Sequence, residues 1–156
     1  MPGLSPLLDE LAHRLGLGAL SLDAANPLSL CFDGKYVVTL NHDPDDRTLI
    51  LSGAAGPAEA GPETLRNLLQ ESCLGARTGG AAFGLSPETG ELLLWKRLGD
   101  EFPDYSAFEA ELNNFLAQLA HWRSRLAEVA PAASLRAPAA AFRVPDAQPP
   151  PGAVWG

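Results

Sequence analysis

The order of apolar and polar residues along the chain predicts three helices and five strands. Apolar side chains recur every three or four residues over 4–15, 65–73 and 108–126, a spacing typical of amphipathic helices. Runs of alternating, β-branched or aromatic residues predict strands over 28–33, 35–41, 47–52, 81–85 and 91–95. The elements follow the order α-β-β-β-α-β-β-α. This order indicates the α+β class, with one antiparallel sheet of about five strands and three helices.

The stretch 79–98 predicts an antiparallel hairpin, because two apolar runs flank a turn rich in Pro and Gly. Pro87 sets φ at the start of the turn, and Gly90 tolerates a positive φ. Lys96 and Arg97 are expected to mark the end of the second strand. Both strands are so apolar that we expect each face of the hairpin to be covered, by a helix, a second copy or a partner.

Other local signals predict helix starts and turns. Ser5 precedes a proline and is expected to cap the first helix, while Asp104 is expected to cap the third. Asp33 and Gly34 predict a hairpin turn between the first two strands. The small residues over 53–61 predict a linker before the second helix.

The charge of the chain excludes two classes of partner. Its 156 residues carry a formal net charge of −8, with a sequence pI of about 4.7. Nucleic acids and anionic membranes require clustered Lys and Arg, so we expect neither as a partner. The first residues lack the basic and apolar regions of a signal peptide. No run approaches the roughly 18 apolar residues of a membrane span. We therefore expect a cytoplasmic protein.

The two cysteines, Cys31 and Cys73, have neither metal-binding nor redox spacing. This favours a reducing compartment and predicts that both thiols have packing roles.

Candidate catalytic chemistry is sparse. No motif for nucleotide binding, serine hydrolysis or zinc peptidase activity occurs in the sequence. The loop that holds His42, Asp43, Asp45 and Asp46 contains four potential metal ligands. It lacks the glycine and the final glutamate of a calcium loop, so we interpret it as a solvated hairpin loop. We expect no catalytic residues, no metal and no cofactor, and we predict that the protein is not an enzyme.

The composition changes at residue 130. Residues 131–156 contain six prolines and eight alanines but only three charged residues. Such a segment cannot bury enough apolar surface to offset its loss of conformational entropy, so we predict a disordered tail over 130–156. The predicted folded domain is 1–129. Because the tail holds two arginines and one aspartate, the rest of the chain has a formal charge of −9.

Several stretches together resemble a known family. They are TGGAAFGLSPETGELLLWKRL, the long helix ending in HWRSRL, the first helix LLDELAHRLGLGAL with its strand meander, and GPETLRNLLQESCLGARTGG. This arrangement is similar to the type III secretion chaperones of the Tir chaperone (CesT-like) family, as a class I effector chaperone. The resemblance covers roughly residues 4–128 and leaves the tail unmatched.

The resemblance implies a small, acidic, cytosolic bacterial homodimer that uses no nucleotide. Members of the family bind the N-terminal region of a secreted effector and keep it extended and competent for export. The complex of chaperone and effector then contacts the secretion ATPase. In the family the second helix and the neighbouring strand contact their symmetry mates. By analogy the implied dimer interface comprises Leu65, Leu68, Leu69, Cys73, Ala81 and Phe83. The alternative is that these residues pack inside one subunit.

Effector binding by the same analogy would use apolar surface on the first helix and the meander. An extended peptide would add a strand to a sheet edge or fill grooves. The implied effector-binding residues are Leu7, Leu8, Leu11, Leu28, Leu30, Val38, Leu40, Leu49 and Leu51. Alternation sends half of each strand's side chains to each face, so several of these must belong to the core.

A second function remains open at this point. A small dimeric α+β adaptor or regulator, unconnected with secretion, would share the fold and differ in what it binds. A chaperone should hold an unfolded, export-bound segment, whereas an adaptor should bind a folded surface.

Overall fold

The computed structural model describes residues 3–56 and 60–129. Its elements are α1 (Leu4–Leu15), β1 (Leu28–Phe32), β2 (Tyr36–Asp43), β3 (Thr48–Gly56), α2 (Pro62–Glu71), a 3₁₀ turn (Cys73–Gly75), β4 (Ala82–Leu85), β5 (Leu92–Gly99) and α3 (Tyr105–Val129). The predicted order of three helices and five strands is confirmed. The predicted tail over 130–156 lies outside the described residues.

The five strands form one antiparallel sheet in the order β1-β2-β3-β5-β4. Strand β3 is central and pairs with β2 on one side and β5 on the other. Within the described residues, β1 and β4 each pair on one side, so they form the two edges of the sheet.

One face of the sheet carries the core. Leu40 lies opposite both Leu28 and Leu51, and residues directly opposite in antiparallel strands share a face. Helix α3 crosses β3 and β2, and α1 contacts α3 and joins the same apolar cluster. Each contributes an amphipathic face, which explains the periodicity in the sequence.

Strand β3 is longer than predicted, because Gly53–Gly56 continue it instead of forming a linker. A side chain at Gly53 would come within 2.7 Å of Leu119 Cδ2, and one at Gly56 within 3.2 Å of Leu126 Cδ1. These small residues therefore let α3 lie close to the centre of the sheet.

The β4–β5 hairpin forms as predicted, with Gly90 at φ +70° and the Gly90 N–H donating to the Ser86 carbonyl. Strand β5 continues through Lys96 and Arg97, which pair with Leu51 and Ile50, so the predicted strand end was wrong.

The face of the β4–β5 hairpin that points away from the core is not fully covered, contrary to the prediction. Leu92 and Leu94 are buried on the core face, but Trp95 on the opposite face is 39% exposed. Its indole lies beside Gly84, about 3.5 Å from where a side chain would begin. The tryptophan thus covers the gap left by the glycine.

One of the two predicted helix caps forms in the structure. The Asp104 carboxylate accepts the Ala107 N–H at 2.8 Å at the start of α3, as expected. Helix α1 instead begins at Leu4 with Gly3 as its N-cap residue, so Ser5 lies inside the helix. Asp33 and Gly34 both have positive φ in the β1–β2 turn, as its sequence predicted.

Both cysteines are free and exposed. The prediction of packing roles for Cys31 and Cys73 was therefore wrong. In each element the thiol lies on the side that faces away from the core.

Candidate functional site

Helix α2 presents an apolar surface to solvent. All ten of its residues are described, and Leu68 is the buried one. Leu69 is 64% exposed, although leucine side chains usually avoid water. A groove of about 720 Å³ runs along this side and is lined by Pro62, Leu65, Arg66, Leu69, Gln70 and Cys73. We call the outward side formed by Leu65, Leu69, Cys73 and Leu74 the α2 surface.

Leu74 extends the α2 surface and was missed by the sequence reasoning. It is 99% exposed and has φ +55°, a conformation that is rare and costly for a leucine. Gly75 follows at φ +70°, and its N–H donates to the Ser72 carbonyl. The turn therefore projects a large apolar side chain into solvent. The one signal in the sequence was a leucine directly before a glycine at the end of a helix.

The six residues of the predicted dimer interface divide into two groups. Leu69 and Cys73 are exposed and Leu65 is half-buried, so these three are accessible on the α2 surface. The structure buries the other three within the single chain, namely Leu68, Ala81 and Phe83. Phe83 meets the Trp122 ring edge to face at 5.2 Å, which is the packing expected of a core aromatic pair.

The glycines before β4 have contacts within the chain. A side chain at Gly79 would lie 2.6 Å from Asn114 Oδ1 of α3. Lys96 Nζ donates to the Gly79 carbonyl at 2.8 Å and to Glu111 Oε2 at 2.6 Å, and its side chain is only 12% exposed. This half-buried lysine joins the loop before β4 to α3, a role that the sequence did not indicate.

The nine predicted effector-binding residues are mostly inaccessible in the single chain. Leu28 is half-buried. The remaining eight are buried, which is the core assignment that alternation required for several of them: Leu7, Leu8, Leu11, Leu30, Val38, Leu40, Leu49 and Leu51. These eight residues hold α1 and the meander together.

The β1 edge, Leu28–Phe32, is an accessible part of the predicted region. Ser29 and Cys31 are exposed, while Leu28 and Phe32 are half-buried. An edge strand offers unpaired backbone donors and acceptors to another chain. The loop before it is ordered by Asp23 Oδ1, which accepts the N–H groups of Ala25 and Asn26 at 2.9 Å. The side-chain amide of Asn26 also donates to Asp23 and lowers the pKa of that carboxyl.

Polar contacts to Asp100, directly after β5, hold the end of β2 and the acidic loop between β2 and β3; His42, predicted in that loop, lies in β2. His42 Nε2 lies 3.2 Å from Asp100 Oδ2, and Arg47 Nε lies 3.4 Å from Asp100 Oδ1. Asp43 Oδ1 accepts the backbone N–H groups of Asp45 and Asp46. Within 3–56 and 60–129, no group of three His, Cys, Asp or Glu side chains is arranged to hold a metal ion.

None of the described helices is both long enough and apolar enough to cross a bilayer.

The sequence and the fold were compared with known proteins. The model of the Tir chaperone protein (CesT) family matches residues 6–123. A chain in the crystal structure of the ExsC-ExsE complex has 30% sequence identity, with a TM-score of 0.70 over 79% of this chain and 92% of that chain. No curated protein matches the sequence.

Two further structures share the fold at lower identity. The HopA1-SchA chaperone-effector complex contains a chain with 21% identity and a TM-score of 0.65, covering 78% of this chain and 93% of that chain. The Yersinia pestis type III secretion chaperone SycH, solved with a stable fragment of YscM2, gives 20% identity and a TM-score of 0.58 over 76% and 98% of the two chains.

Proposed function

The chain belongs to the Tir chaperone protein (CesT) family of type III secretion chaperones, and we propose that it binds the N-terminal segment of a secreted effector in the bacterial cytoplasm. It would keep that segment soluble and extended until export. The observation that carries this proposal is the family match over residues 6–123, which spans α1 through most of α3. The role needs no catalytic residue, metal or cofactor, and we assign none.

The α2 surface supports a homodimer. The exposed Leu69 and Leu74, together with the apolar groove beside Leu69, give a second copy apolar surface to bury. The surface lies on one side of one helix, so a two-fold axis beside it would bring Leu69 and Cys73 against the same surface of the second copy. Leu74 would add its fully exposed side chain at the rim. The buried Leu68 and Phe83 would support this interface from within.

The β1 edge supports strand addition by the effector. An extended segment that pairs with Leu28–Phe32 would satisfy the free backbone groups of the edge. Of the nine residues predicted to bind the effector, Leu28 is the one that we keep as a direct contact, and the buried eight position the strand. A dimer presents two such edges, so one effector segment that reaches both gains avidity without a large contact at either.

The function is tested by affinity capture of the tagged full-length chain from its native cells, followed by mapping of the bound partner. We expect a stoichiometric partner that binds through its N-terminal segment, and this segment should become protease-sensitive once released. Hydrogen exchange should show new protection at the β1 edge in the complex. A partner bound through a folded domain would favour the adaptor instead. Protection confined to other elements would place the effector elsewhere.

A further inference from the structure

The turn between β1 and β2 carries two positively charged side chains in an otherwise acidic molecule. Lys35 belongs to the turn, and Arg123 comes from the last third of α3. Arg123 Nη1 donates to the backbone carbonyl of Lys35 at 2.8 Å, so the helix and the turn are in direct contact. We call Lys35, Arg123 and the neighbouring Tyr36 the basic patch.

The aromatic ring of Tyr36 holds both cations. Lys35 Nζ and the Arg123 guanidinium carbon each lie 5.3 Å from the ring centroid, which is within the range of a cation–π interaction. Arg123 and Tyr36 are half-buried. Cations that are already held in place lose less conformational entropy when they bind a partner. The basic patch is therefore arranged before a partner arrives.

The two charges of the basic patch have no carboxylate partner in the part of the chain that the structure describes. Neither Lys35 nor Arg123 forms an ion pair there, and Asp33 of the same turn pairs with neither of them. Five other basic side chains do form ion pairs, namely Arg14, Arg47, Arg77, Lys96 and Arg97. Acidic side chains of a partner would supply the missing opposite charge.

The basic patch stands at one end of the β1 edge. Phe32, the last residue of β1, is paired with Tyr36. The loop before Leu28, at the opposite end of this edge, carries the carboxylate of Asp23, which stays ionised because hydrogen bonds from the Asn26 side chain and from backbone N–H groups lower its pKa. An acidic side chain of an incoming segment is thus attracted at the Phe32 end and repelled at the Leu28 end.

The pairing of the sheet predicts which part of an incoming segment meets the basic patch. All four strand pairs of the described sheet are antiparallel. A segment that continues this pattern begins opposite Phe32 and ends opposite Leu28. Two residues before the paired stretch extend about 7 Å beyond it, which brings them to the turn.

On the basis of the strand addition proposed above for the β1 edge, we propose that the basic patch binds acidic side chains that lie directly N-terminal to the paired segment. The partner is then an extended segment with Asp or Glu before its strand-forming residues. Pairing of these charges sets the direction and the register of the segment, which backbone hydrogen bonds alone specify weakly.

The test measures binding of three synthetic peptides to the full-length protein. Each contains seven alternating Val and Ser residues, with two Glu before them, two Glu after them, or two Gln before them. Nuclear magnetic resonance of the backbone amides of Leu28–Phe32 locates the binding and gives the dissociation constants. The peptide with Glu before the strand should bind about fivefold more tightly than the Gln peptide at low salt, and this preference should shrink as salt is added.

Variants assign the preference to the basic patch. Arg123→Gln should reduce it to about twofold, and Lys35→Gln in the same chain should abolish it. Arg125→Gln is the matched control, because it removes the same charge from the same helix. Arg125 lies over the ring of Trp122 instead of Tyr36. This control should keep the full preference.

The outcomes separate this assignment from the strand addition on which it rests. Equal affinity of the three peptides at the β1 edge would overturn the assignment and leave strand addition intact. Tighter binding of the peptide with Glu after the strand would overturn the proposed direction. An equal loss of preference in Arg123→Gln and Arg125→Gln would show a general attraction and overturn the role of the basic patch. No change at Leu28–Phe32 with any peptide would contradict strand addition and this assignment together.

Discussion

Helices α3 and α2 carry similar apolar stripes in the sequence, yet their surroundings in the structure differ. Helix α3 buries six large side chains, namely Phe108, Leu112, Phe115, Leu119, Trp122 and Leu126. Helix α2 buries Leu68 and leaves the neighbouring Leu69 64% exposed. An apolar stripe therefore predicts that one face of the helix will be buried, but it does not show whether the same chain or another chain buries that face. In this family member we attribute the uncovered stripe to a second copy.

The largest effect on stability is expected in α3. Phe115→Ala should lower the free energy of unfolding by about 3–5 kcal/mol, because Phe115 is 1% exposed and its removal leaves a cavity above the sheet. Asn113→Ala on the exposed side of the same helix should change it by less than about 0.5 kcal/mol. Chemical denaturation measures both. Equal losses of stability in the two variants would show that α3 does not cover the core face of the sheet.

Close approach between α3 and the sheet gives the next prediction. Gly53→Val should destabilise the fold by about 1–3 kcal/mol through overpacking, since its side chain would meet Leu119 at 2.7 Å. Gly99→Val is the matched change, because a side chain at Gly99 meets no atom within 4 Å. Thermal unfolding should give a clearly lower midpoint temperature for Gly53→Val than for Gly99→Val. A tolerated valine at 53 would show that α3 lies further from β3.

The loop before β4 gives a smaller effect. Lys96→Met should cost about 1.5 kcal/mol, because it removes the charged donor to Gly79 and Glu111. Hydrogen exchange over 78–81 should accelerate, because this lysine joins the loop to α3. Lys35→Met changes an exposed lysine and is the control. Unaltered exchange over 78–81 would show that the glycine packing alone holds the loop.

Local features of the fold were predictable from the sequence. The Asp33-Gly34 turn, the Ser86–Gly90 turn and the Asp104 cap each depend on residues within a few positions of one another. The order of elements followed from periodicity, which is also local.

Features that depend on distant contacts were not predictable. Gly53–Gly56 were interpreted as a linker, because their fit beneath Leu119 and Leu126 involves a helix more than sixty residues away. For the same reason the sequence could not separate the buried Leu68 from the exposed Leu69. Nor could it place eight of the nine predicted effector-binding residues in the core.

The central claim is that the α2 surface joins two copies of the chain. Sedimentation equilibrium of the full-length protein tests it with Leu69→Asp and with Leu17→Asp, the same change at an exposed leucine (47%) outside α2. The native protein and Leu17→Asp should both show twice the chain mass of 16.4 kDa. Leu69→Asp should raise the dimer dissociation constant on the order of a hundredfold or more, since each copy loses a leucine that the proposed interface would bury. Circular dichroism of each variant checks the fold. A native protein that stays monomeric, or a folded Leu69→Asp variant as dimeric as Leu17→Asp, would contradict the claim.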